Sequence, residues 1–127
     1  MKAPSLEQIE AIAARALKTV PGELLAQVEG VVIRVEEFPD GETEDALGLT
    51  SPYDLLGLYR GVSIDRKSVS ATPDDIDMIY LYRAPILDFW CESGEDLEHL
   101  VRHVLIHEIG HHFGLSDEDM ERIEGAG

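Results

Sequence analysis

A chain of 127 residues with 44% apolar side chains suits one domain (1–127) with a modest core, and is too short for two. Ten Lys and Arg face 26 Asp and Glu, and the formal net charge of -16 repels phosphate backbones and anionic lipid heads, which argues against nucleic-acid and membrane-surface roles. One cysteine permits no internal disulfide, Glu7 and Glu10 interrupt any signal-like N-terminus, and no run of about 18 apolar residues occurs, so the cytoplasm is the expected compartment.

Ser5 stands three residues before Gln8, a capping-box pattern, and apolar residues from Leu6 to Val20 follow at helical spacing, predicting a helix over 5–20. Pro21-Gly22 ends it, and ELLAQV adds a short helical turn. VVIRVEEF (31–38) is β-branched and partly alternating, which predicts a strand. The acidic PDGETED (39–45) reads as a solvated loop. LLGLYRGVSI (55–64) is apolar but broken by Gly57 and Gly61, as expected of a short strand that bends or lies close to something. DRKSVSATPDD reads as a loop, and IDMIYLYR (76–83) as a strand ended or edged by Pro85. ILDFWCES leads into a helical block that begins near Gly94 or Glu95 and stops at Gly114. Ser116 with Asp119 opens a last helix, 117–124. The order predicts an α+β domain, with a small mixed β-sheet packed against the N-terminal helix and the long C-terminal one.

All five histidines lie between residues 99 and 112, within a block that ends HEIGHHFGLSD. On a helix, His107 and His111 are one turn apart, and their imidazoles stand on one face about 40° apart around the axis. Two such nitrogens can reach one tetrahedral zinc ion at about 2.0–2.1 Å. Glu108 follows the first imidazole, so its carboxylate stands beside the metal as the base that accepts a proton from water. A catalytic zinc needs a third protein ligand and a fourth position for water. Gly114 can take a left-handed conformation and fold the chain back, which brings Asp117 to the metal; Glu118 and Glu121 compete for that role. H-E-x-x-H-x-x-G-x-x-D arises by chance on the order of once in several thousand sequences of this composition.

HEIGHHFGLSD resembles the Asp-zincin variant of the zincin peptidases, in which Asp replaces a third His. The whole chain is similar to the small bacterial mini-zincin family of possible zinc metallopeptidases, through SPYDLLGLYRGVSI, DMIYLYRAPIL and the helix ending in HEIGHHFGLSDEDM. That resemblance implies a zincin-like minimal domain, a zinc ion on His107, His111 and Asp117, Glu108 as general base, and a peptide or protein as substrate. Ten residues follow Asp117, too few for the downstream methionine turn of larger metzincins, which implies a shallow cleft; Met120 is not assigned that role.

His99 and His103 continue the i, i+4 stripe and read as solvent-facing or lightly buried, and His112 as a surface residue. The apolar residues from Leu97 to Phe113 surround the helix, which predicts a central, largely buried element in which Gly110 and Gly114 let another segment approach. Tyr53, Tyr59, Tyr80 and Tyr82 read as core or sheet-face residues, and Cys91, beside Trp90, as a buried structural thiol. The alternative function is a catalytically idle metal-binding or regulatory protein-interaction module. A metal-dependent ribonuclease is opposed by the net charge of -16.

Overall fold

The computed structural model describes residues 3–26, 30–61 and 77–126. Helix α1 (Leu6–Lys18) starts on the capping box read from the sequence: Gln8 N–H donates to Ser5 Oγ at 3.1 Å, and Ser5 N–H donates to Gln8 Oε1 at 2.7 Å. Its apolar face buries Ile9 and Ala13 completely. A short α2 (Gly22–Leu25) follows, then strand β1 (Val32–Glu36). Strand β2 (Gly57–Arg60) is shorter than its apolar run, whose residues 62–64 lie outside the described segments, as does the loop DRKSVSATPDD.

Strand β3 (Met78–Tyr82) is central, parallel to β1 and antiparallel to β2, in the order β1-β3-β2. Tyr80 fixes both registers, opposite Arg34 on one side and Leu58 on the other. Ile79 and Leu81 of β3 are fully enclosed. Each such side chain contributes about 1.5–3 kcal/mol over its exposed state. The expectation of an α+β domain with a small mixed sheet therefore holds.

The structure differs from three local expectations. PDGETED is not a loop throughout: Gly41–Leu47 forms helix α3, started by Asp40, whose Oδ1 accepts from Thr43 N–H at 2.7 Å. Glu42 and Glu44 stand in its first turn, where the helix dipole favours acids, so a segment without apolar periodicity still closes a helix. Pro85 does not edge a strand. It is the third residue of helix α4 (Arg83–Ser93), in the first turn, where its missing N–H has no intrahelical partner to lose. Cys91, on this helix, is exposed, not buried as its apolar setting suggested.

Helix α5 (Leu97–His112) starts at Asp96, whose Oδ2 accepts from His99 N–H at 3.2 Å. Leu100, Val101, Leu105, Ile106 and Ile109 are all but inaccessible, so this is the central helix the sequence predicted, although Phe113 at its end is 37% exposed. It packs against α1, β2 and the last helix, α6 (Asp117–Ala126). Among the described residues no helix is long and apolar enough to cross a membrane.

Candidate functional site

The histidine helix and the helix after it form a tight hairpin because Gly114 adopts φ +74°, a backbone state that other residues enter only at a cost. Leu115 N–H donates to Gly110 carbonyl oxygen at 2.8 Å, and Gly114 N–H to that of His111 at 3.2 Å. This paired closure is the Schellman motif, which satisfies the last carbonyls of α5. Ser116 then caps α6, its Oγ accepting from Asp119 N–H at 3.1 Å. The glycine bend expected from the sequence is therefore present, and it leads directly into Asp117.

Gly110 lets the two helices meet. A Cβ there would stand 2.4 Å from Met120 Sδ, and Met120 is fully buried. Arg102 holds the far end, its Nη1 donating to Glu124 carbonyl oxygen at 2.9 Å. The chain thus turns back along itself, and α6 brings Glu124 against the histidine face of α5. His103, His107 and His111 recur every fourth residue on α5, within about 80° of arc. Asp117 and Glu124, seven residues apart on α6, share a face within about 20°.

His107 and His111 have ring centroids 5.8 Å apart at 84°, and His111 and Asp117 are both exposed. The ligand atoms of His107, His111 and Asp117 are not gathered around one point in this conformation. Among the described residues the group whose nitrogen and oxygen atoms all lie within 4.8 Å of one another is His103, His107 and Glu124. His107 Nε2 lies 2.8 Å from Glu124 Oε1, and His103 Nδ1 lies 2.9 Å from the same oxygen. Glu118 and Glu121, the competing carboxylates, are exposed and outside this group. His103 is lightly buried, in keeping with its sequence reading, but its meeting with Glu124 is not foreseen there. The i, i+4 histidine stripe was the available signal for His103; for Glu124, only the seven-residue spacing from Asp117 was.

Glu108 stands on the other side of His107. Its Oε1 accepts from the backbone N–H of Tyr59 on β2 at 3.3 Å. Burial pushes its carboxyl above the ordinary glutamate range, opposed by that hydrogen bond and by the nearby His111. Strand and helix come this close because residue 57 is glycine: a Cβ there would lie 2.8 Å from Val104 Cγ1 and 3.4 Å from Glu108 Cγ. This is the close approach that the glycine-broken strand predicted.

Tyr59 extends the site. Its hydroxyl donates to Asp77 at 2.8 Å, and its ring stacks on His112 with centroids 4.0 Å apart and planes 17° from parallel. Desolvation, then the bond to Asp77 and its charge, raise the Tyr59 phenol and keep it protonated. His112 is exposed as expected, and it covers Gly61, where a Cβ would meet its ring. Tyr80 and Tyr82 stack on each other at 6.5 Å, in keeping with sheet-face positions.

Residues 28–126 match the model of a family described as zincin-like metallopeptidases. No curated protein matches the chain. Among solved structures, it is similar to a conserved hypothetical protein from Thermo thermophilus, with a TM-score of 0.55 and 23% sequence identity over 87% of this chain and 94% of that one. That likeness concerns the fold.

Proposed function

Since the chain belongs to the zincin-like metallopeptidase family, we propose that it hydrolyses peptide bonds, with zinc on His107, His111 and Asp117 and with Glu108 as general base. The observation that carries this reading is the placement of Glu108. Its carboxylate is partly buried at a sheet edge, one residue after His107, and oriented by Tyr59 N–H.

The donors suit the ion. Imidazole nitrogen and carboxylate oxygen are the ligand types of a three-ligand zinc site, and His107 and His111 stand one turn apart on helix α5. His111 and Asp117 are exposed at either end of the Gly114 turn, so packing does not fix their rotamers. Zinc, when bound, supplies Lewis acidity to the scissile carbonyl and acidifies water toward neutrality.

The protein's own groups do the rest. Glu108 takes a proton from the attacking water on a carboxylate oxygen, and then gives it to the departing amine nitrogen. Burial suits it to both tasks, because a raised pKa makes the ionised form a stronger base and the protonated form easier to populate. Among the described residues strand β2 lies at the edge of the sheet, so an extended peptide or protein substrate can add beside it through main-chain hydrogen bonds.

A catalytically idle metal-binding module is the second reading, favoured by the hold of Glu124 on His107 Nε2 at 2.8 Å. The zinc-loaded protein and Glu108→Gln, offered the same peptide library, separate the two. A peptidase cleaves and its variant does not, at equal zinc content. An idle module cleaves nothing in either form and keeps its partners in both.

A further inference from the structure

We propose that His103, His107 and Glu124 form a second seat for a zinc-like dication, one helical turn upstream of the peptidase seat and sharing His107 with it. That the two seats compete rests on the peptidase reading; that the upstream cluster takes a metal does not.

The ligand atoms are already assembled. His107 Nε2 and His103 Nδ1 lie 2.8 and 2.9 Å from Glu124 Oε1, and the two rings lie side by side with centroids 4.0 Å apart. A tetrahedral zinc with bonds of about 2.0–2.2 Å sets its ligand atoms roughly 3.3–3.5 Å apart. The cluster therefore opens by about half an ångström to admit the ion, within the reach of small side-chain rotations. His107 and Glu124 are mostly enclosed, at 23% and 17% side-chain exposure, while His103 at 45% leaves an entry path. Two ring nitrogens and a carboxylate oxygen are the donor types a dication takes, so an ion can occupy the space the three groups now close between themselves. Two imidazoles and one carboxylate select zinc, cobalt or nickel over magnesium and calcium.

The two seats differ in their relation to the base. On the helix, Glu108 is turned about 100° from His107 toward His111, and so about 140° from His103. An ion upstream is thus turned away from Glu108. Because a neutral imidazole offers one lone pair, His107 serves one ion at a time. Upstream occupancy thus removes a ligand from the peptidase seat, which makes the cluster a holding site that limits how much metal reaches Glu108.

The test is zinc uptake by equilibrium dialysis, together with the visible absorption of the cobalt form. The variant His111→Ala/Asp117→Ala lacks the peptidase seat, and because both side chains are exposed it retains the fold, as circular dichroism verifies. It should bind close to one zinc per chain and give the cobalt band of a low-coordinate nitrogen–oxygen site. Adding Glu124→Gln or His103→Ala should weaken binding by more than the roughly 10–100-fold cost of losing an outer-shell partner. A folded His111→Ala/Asp117→Ala protein that takes up neither metal overturns the proposal, as does uptake indifferent to Glu124→Gln and His103→Ala. Glu124→Gln alone should keep one zinc, held downstream. If it loses all zinc, the upstream cluster stands and the peptidase seat falls.

Discussion

The backbone N–H of Tyr59 donates to Glu108 Oε1 at 3.3 Å, joining the sheet edge to the helix that carries the histidines. The bond aims the carboxylate without neutralising it. Glu108→Gln preserves the size and the acceptor oxygen but removes the basic site. We expect zinc content to be unchanged and peptide hydrolysis to fall by about 10²–10⁴-fold, the usual worth of a positioned base. Turnover equal to wild type at matched zinc content would remove Glu108 from the mechanism.

The same substitution should stabilise the metal-free protein at neutral pH. Burial raises the folded-state pKa of Glu108, so the folded state binds its proton more tightly than the unfolded chain does. The wild-type protein therefore loses stability as pH rises from the ordinary glutamate value of about 4.3 through the raised folded value, and Gln does not titrate. Denaturant melts of apo wild type and Glu108→Gln should coincide at low pH and separate above it, with the variant more stable. A gap that opens instead toward acid would mean that the carboxylate is favoured by its surroundings.

Gly57 sets the distance between strand β2 and that carboxylate. Gly57→Ala would put a methyl group 2.8 Å from Val104 Cγ1 and 3.1 Å from the Tyr80 carbonyl oxygen. The carbonyl belongs to the central strand and cannot retreat, so β2 must lift away from α5. Overpacking of this kind costs about 1–3 kcal/mol, and a displaced Tyr59 N–H lowers hydrolysis beyond what the lost stability explains. Thermal melting and peptide turnover, compared at a temperature where both proteins are folded, check this. An unchanged melting point would show that the strand has slack.

The arrangement of the candidate site was legible wherever it depends on one helix. His107, Glu108 and His111 are ordered by the helical repeat, and Gly114 announced the turn through the one property a lone glycine signals well, tolerance of positive φ. Legibility failed where two helices meet. The meeting of Glu124 with His103 and His107 depends on the angle at which α6 returns, set by Met120 against Gly110 and not by any local spacing. Helix α3 was missed because its signals are a cap and a dipole, which leave no apolar period, and Cys91 because an apolar neighbourhood in sequence does not fix which face of α4 turns inward. Ser5 with Gln8, by contrast, is a wholly local device, and it formed as read.

Met120 and Gly110 should behave as one unit. Met120 is fully buried, and its Sδ and Cγ occupy the space that a Cβ at residue 110 would need, at 2.4 and 2.8 Å. Met120→Ala alone leaves a cavity and should cost about 2–5 kcal/mol. Gly110→Ala alone drives a methyl group into an enclosed thioether and should cost about 1–3 kcal/mol, while moving α6 outward and with it Asp117 and Glu124. In the double variant the new methyl group enters the space the thioether has left, so its cost should fall short of the sum of the singles by at least about 0.5 kcal/mol. Denaturant titration of the four proteins of the cycle measures that difference. Strict additivity would mean that the helices are held together elsewhere, with the Arg102 bond to the Glu124 carbonyl oxygen as the next contact to remove.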